Sequence, residues 1–138
     1  MPATRPTRSE EIARLVLELG RAMEAHFDGE LARLDLTLPQ AMLLRQLGEA
    51  IPMKGAAEKM HCDPSNVTGI VDRLEARGLI RRQAGRTDRR VKHLVLTAEG
   101  QRLKRRVDKI LSQAAGVSGL TGAEQTVLRG LLARSLGR

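Results

Sequence analysis

Between Ser65 and Arg73 the sequence sets out hydroxyl, amide, carboxylate and guanidinium groups on Ser65, Asn66, Thr68, Asp72 and Arg73, with Gly69 among them. A short way on, Arg86, Arg89 and Arg90 crowd around Asp88. Small hydrogen-bonding side chains and a glycine let a backbone come close to a polar surface, and clustered guanidinium groups neutralise an anion. This is chemistry for holding a polyanion rather than for making or breaking a bond.

Catalysis has no comparable constellation. The chain lacks a Gly-rich phosphate loop, a nucleophile elbow and a pair of histidines at metal-ligand spacing. His26, His61 and His93 lie far apart, so His61 beside Cys62 could ligate a metal only if other ligands converged on it. No enzyme activity, cofactor or metal is expected. The single cysteine, Cys62, cannot close an internal disulfide, which agrees with a reducing compartment. Its neighbour Asp63 disfavours a reactive thiolate, and Cys62 is taken as a small filler of a turn.

The chain has 138 residues, room for one domain plus helices through which it could join a partner. Lys and Arg number 24 against 16 Asp and Glu, a formal net charge of +8. All of that excess is local, because Arg73 to Lys109 carries 13 basic and 4 acidic residues, a net of +9, and the rest of the chain sums to −1. A basic segment in an otherwise balanced chain is the footprint of a charged partner. Phe27 is the only aromatic residue, so stacking of unpaired bases is disfavoured and duplex DNA becomes the better polyanion. No apolar run is long enough to span a bilayer, and Met1 to Ser9 has no secretory pattern. A soluble, cytoplasmic protein with no membrane partner is expected.

The positioning elements follow from periodicity and caps. Ser9 is placed to cap a long helix whose apolar residues Ile12, Leu15, Leu19, Met23, Phe27 and Leu31 recur at threes and fours. Thr37 and Gln40 have capping-box spacing for a second helix through Leu47, and a small helix follows around Ala56 and Met60. Asp63 caps, and Pro64 opens, a helix that runs to Arg77 and stops at Gly78. Its Val67, Ile70, Val71 and Leu74 form one apolar stripe.

Leu79 to Ala84 and Val91 to Leu96 are expected as two strands joined by the polar loop 85–90. Thr97 caps a helix through Leu103, Val107, Leu111 and Ala114, and Thr121 with Glu124 forms a capping box before Val127, Leu131 and Leu136. A short helix, a turn at His61-Cys62-Asp63, a capped helix with a polar face and a basic hairpin describe a winged helix-turn-helix.

The stretch Asp63-Pro64-Ser65-Asn66-Val67-Thr68-Gly69-Ile70-Val71-Asp72-Arg73-Leu74-Glu75-Ala76-Arg77-Gly78-Leu79-Ile80, with Asp88-Arg89-Arg90 and Leu96-Thr97-Ala98-Glu99-Gly100, resembles the MarR family of bacterial and archaeal regulators. The resemblance implies a mainly α chain with a small β-hairpin wing, a DNA-binding lobe at 36–96, and dimerisation helices in 1–35 and 97–138. It implies a homodimer closed through Ile12, Leu15, Leu19, Val127 and Leu131. The greasy faces at the two ends of the sequence ask independently for such a partner.

On double-stranded DNA the resemblance places Pro64, Ser65, Asn66, Thr68 and Gly69 in the major groove and Arg73 on phosphate. Arg89 falls where the family sends a wing-tip arginine into the minor groove, with Arg86 a second candidate. Asp88 and Arg90 are expected to brace the wing, with Asp72 pairing to Arg90 across the helix-wing junction. The basic residues Arg102 to Lys109 are expected to point toward the dimerisation region and to be mostly solvated.

Many relatives take a small anionic effector, most often as repressors that release DNA when it binds. Here a pocket near His26, Phe27 and Met42 is the expected place, with an effector of unknown identity and little aromatic surface to stack on. Peroxide-sensing relatives use a cysteine near the start of the first helix, where this chain has none. Two other readings compete: a nonspecific DNA-organising protein and a winged-helix protein-interaction module.

Overall fold

The computed structural model describes residues 5–113 and 116–138. Ala114, expected near the end of the fifth helix, lies outside the described residues. The order is α1 (Arg8–Ala32), α2 (Leu38–Gln46), β1 (Ile51–Pro52), α3 (Met53–Met60), α4 (Pro64–Ala76), β2 (Ile80–Ala84), β3 (Lys92–Leu96), α5 (Ala98–Ser112) and α6 (Gly122–Ser135). This is a mainly helical chain with a small antiparallel sheet in the order β1-β3-β2. Among the described residues no helix is long and apolar enough to cross a membrane.

Local chemistry sets most boundaries. The Thr37 hydroxyl accepts the Gln40 N–H at 3.4 Å and the Gln40 side chain accepts the Thr37 N–H at 3.0 Å, closing the expected capping box. Thr121 and Glu124 do the same for α6. At α1 the cap is Thr7 rather than Ser9. Its hydroxyl accepts the Glu10 N–H at 3.3 Å while the Glu10 carboxylate accepts the Thr7 N–H at 2.6 Å, so Thr7 meets the spacing that a reciprocal box needs. The backbone hydrogen bond from Thr7, followed by its hydroxyl, holds the Glu10 carboxyl below its ordinary range.

Helix α4 ends in a Schellman arrangement. Leu79 N–H reaches Leu74 O at 3.0 Å and Gly78 N–H reaches Glu75 O at 2.9 Å, with Gly78 at φ +70°. The chain thereby reverses directly into β2, which pairs with β3 from Ile80↔Leu96 to Ala84↔Lys92. Two residues of β1 add an edge, Ile51↔Leu94 and Pro52↔His93, and a proline is tolerated there because an edge strand has one free side.

Residues 27–112 form one compact unit, and the described residues of 1–26 and 113–138 form another. These compact units divide at 26/27 and 112/113. The reason is burial: Phe27, Leu31 and Leu34 from the end of α1 and just after it, with Val107 and Leu111 of α5, belong to the same core as Leu43, Leu44, Val71, Leu74, Ile80 and Leu94. Helix α5 packs on α2, where Asp108 takes Lys104 at 2.7 Å and Arg45 at 3.6 Å.

Candidate nucleic-acid interface

Helix α4 divides cleanly by face. Val67, Val71 and Leu74 are buried, Ile70 is half-buried, and Ser65, Asn66, Thr68, Gly69, Asp72 and Arg73 are exposed. Pro64 occupies the first helical position, where its missing N–H costs nothing. The Asp63 carboxylate accepts both the Ser65 N–H at 2.9 Å and the Ser65 hydroxyl at 2.8 Å. Those two bonds, the backbone one first, hold the Asp63 carboxyl below its ordinary range. Thr68 donates its hydroxyl to Pro64 O at 3.1 Å. The helix thus presents a pre-shaped polar face whose amino end carries the positive pole of the helix dipole.

The wing is held from its base and through its turn. Gly85 N–H reaches Val91 O at 2.8 Å, Val91 N–H reaches Asp88 O at 3.2 Å, and Asp88 accepts the Arg90 N–H on its side chain at 3.0 Å. Asp88 therefore supports the loop through an Asx turn. Arg86, Arg89 and Arg90 are exposed, and the Arg90 guanidinium makes only a loose 3.8 Å approach to Asp88.

The expected pairing of Asp72 with Arg90 does not form. Asp72 pairs instead with Arg82, which also holds Glu75 at 3.0 Å. The hydrogen bond to Asp72 raises the Arg82 pKa, partial burial opposes it, and the charge of Glu75 supports it. Arg82 is the joining residue that sequence reasoning missed. A signal existed: residues two apart on a strand share a face, so Arg82 lies in phase with buried Ile80, opposite an i, i+3 acidic pair on α4.

A second junction fixes the other end of the wing. The Thr97 hydroxyl donates to Gly78 O at 2.6 Å and accepts the Gly100 N–H at 3.0 Å. Helix α5 enters so close to the chain that a Cβ on Gly100 would lie 1.9 Å from Leu79 O. Behind α4, Arg77 donates to Leu34 O at 3.2 Å and to Asp35 O, tying the end of the helix to the turn after α1.

A groove of about 650 Å³ runs between α2, α3 and α4, lined by Pro39, Met42, Met60, Cys62, Ile70 and Arg73 among others. Of the three residues around which a pocket is expected, only Met42 lines this groove. Phe27 is instead buried in the core, and His26 belongs to the other unit. Among the described residues no three His, Cys, Asp or Glu side chains gather as a metal site.

Residues 36–92, the span of α2 through the wing, match the model of the MarR family. This span is a MarR-family winged helix-turn-helix. It is 33% identical over 100 residues to the HTH-type transcriptional regulator TtmR of Methylorubrum extorquens, an alignment covering 71% of this chain and 51% of TtmR. The chain thus spans about half the length of that relative. Among solved structures, AbsC of Streptomyces coelicolor, a MarR family transcriptional regulator, superposes with a TM-score of 0.85 at 24% identity, covering 98% of this chain and 97% of AbsC. CouR of Rhodococcus jostii, solved bound to p-coumaroyl-CoA, gives 0.80 at 28% identity and 91% of each chain. The likeness to these solved structures extends to the order of elements from α1 to α6. The ion pairs of Arg82 and the anchorage of Arg77 are details of this chain's own geometry.

Proposed function

We propose that this protein is a sequence-specific regulator of transcription that binds duplex DNA as a homodimer in the cytoplasm. One observation carries the reading. The exposed polar face of α4 and the exposed cations Arg86 and Arg89 sit on one lobe, and Arg82 joins the helix to the base of the wing that bears them. A helix of this shape fits the major groove, and a cationic hairpin beside it reaches the neighbouring phosphates or minor groove. In this reading Pro64, Ser65, Asn66, Thr68 and Gly69 meet bases and backbone, Arg73 meets phosphate, and Arg89 enters the minor groove with Arg86 beside it.

The terminal helices supply the second copy. Ile12 and Leu15 on α1, with Val127 and Leu131 on α6, are each about half exposed or more, and Leu19 is half-buried. Apolar faces of this extent are stabilised by covering them against an identical chain. A dimer would present two α4 helices to an inverted repeat. CouR, solved with p-coumaroyl-CoA, supports an effector-responsive repressor, in which ligand occupancy shifts the balance between DNA-competent and incompetent arrangements.

Selection of bound sequences from a random duplex pool tests this directly. Enrichment of an inverted repeat is expected. Binding without enrichment would instead identify a DNA-organising protein, and no binding a protein-interaction module. On the selected site, Arg89→Ala weakens binding by about 1–3 kcal/mol and leaves the oligomeric state unchanged. Loss of the dimer in that variant would contradict the wing assignment.

A further inference from the structure

We propose that a second concave surface, behind the carboxyl end of α4, binds a nucleoside polyphosphate, and that Arg77 couples its occupancy to the position of α4. The coupling half rests on the DNA-binding reading above; the binding half does not. The surface encloses about 510 Å³ within the 27–112 unit and is lined by four arginines: Arg33, Arg77, Arg102 and Arg106. Asp35 and Glu99 are the two carboxylates on its wall, so the lining carries a net charge of +2. Among the described residues no ion pair engages Arg33, Arg102 or Arg106, and all three are exposed.

The chemistry of the lining selects the ligand. Guanidinium forks match phosphate oxygens two at a time, and a net +2 wall calls for at least two negative charges. The amino end of α5 at Glu99 adds its own positive potential. Between the arginines lie the apolar side chains of Leu34, Leu79 and Leu103, the first two buried, a floor against which a base rather than a further charged group would pack. A carboxylate alone would leave that floor uncovered and half the charge unmet.

Arg77 makes the site more than a patch. It caps α4 and spends its donors on the uncharged carbonyls of Leu34 and Asp35. A phosphate oxygen is the stronger acceptor because it is ionised. A ligand seated on Arg102 and Arg106 would therefore draw the Arg77 fork off those carbonyls and release the end of α4 from the turn after α1. Affinity for DNA and affinity for the nucleotide would then change each other by the same factor.

Calorimetric titration of the full chain with ADP, without DNA, tests the site. ADP is expected to bind, the double variant Arg102→Gln/Arg106→Gln to lose at least about tenfold in affinity, and Arg33→Gln, just after α1, to weaken it as well. Thermal unfolding of each variant shows that it is folded. Arg89→Ala is expected to leave ADP binding unchanged. Absence of ADP binding to the parent chain, or loss of it in Arg89→Ala alone, overturns the proposal. Pyrophosphate binding as tightly as ADP removes the nucleoside half of it. ADP that binds but leaves DNA affinity the same in parent and double variant removes the coupling. Failure of the chain to bind any duplex leaves the ADP titration standing, so the two readings fail separately.

Discussion

Asp72→Asn gives a test of the helix-wing brace in which two physical accounts predict opposite signs. Asp72 is an acidic side chain on the exposed face of α4, beside residues proposed to touch DNA. If its charge acted only at long range, removing it would strengthen binding to a polyanion. If it acts through Arg82, removing it frees one of the two acidic contacts that hold the wing to the helix, leaving Glu75 at 3.0 Å. Asp72 is 59% exposed and Arg82 28%, so solvent screening limits the pair to about 0.5–1 kcal/mol. That corresponds to an expected loss of about two- to fivefold in affinity for the selected site. The assay is a titration at about 0.15 M salt, where charges beyond roughly 8 Å are screened and the long-range gain is small. A cycle with Arg82→Met and the double variant, followed by urea unfolding, isolates the pair: the coupling should match the loss in stability. Tighter binding by Asp72→Asn at that salt, or a coupling of zero, would refute the brace.

Three further outcomes are expected. Gly100→Ala forces a methyl group into the Leu79 carbonyl and should cost at least about 2 kcal/mol in urea unfolding; an unchanged midpoint would show that α5 does not approach the chain as described. The Asp63 carboxyl is held below its ordinary range by Ser65, so its cap is fully present above the unfolded-state pKa and is lost as pH falls through the folded-state value. Protection of the Ser65 amide, taken relative to its intrinsic exchange rate at each pH, should therefore fall in acid, and Asp63→Asn, which still caps, should flatten that dependence. Glu10 and Glu124 share the same sign, which is why the readout must be local. Leu131→Glu places a charge on the exposed apolar face of α6 and should raise the dimer dissociation constant at least about tenfold in sedimentation; an unaltered dimer would move the interface elsewhere.

What could be read from the chain before its structure depended on how local the cause was. Both ends of α4 were legible because Asp63, Pro64 and Gly78 each act on their own backbone, and the hairpin was legible because its strands and turn are contiguous. The Thr37 and Thr121 boxes were found for the same reason, and the misplacement of the first cap from Thr7 to Ser9 is an error of two residues in an otherwise correct helix. The misses were long-range. Arg82 stood among several equivalent arginines, and choosing it required the register of β2 against α4. Phe27 has the spacing of an apolar face and the chemistry of a pocket wall, and only packing shows that it is core.

The ties around α4 are distributed unevenly, and that asymmetry bears on how it could work as a recognition helix. Its carboxyl half is fastened to three separate elements: Asp72 and Glu75 to β2 through Arg82, Arg77 to the turn after α1, and Gly78 O to Thr97 at the mouth of α5. Among the described residues, the side-chain bonds given for its amino half stay within its own first turns, from Ser65 to Asp63 and from Thr68 to Pro64. Groups bonded locally can exchange those partners for a base or phosphate without disturbing the core. Groups bonded to three elements transmit any displacement to all of them. A helix held in this way keeps its reading end adaptable while its anchored end couples the DNA surface to the rest of the lobe, so substitutions at the anchors should alter affinity for every site alike and those at the reading end should alter which site is chosen.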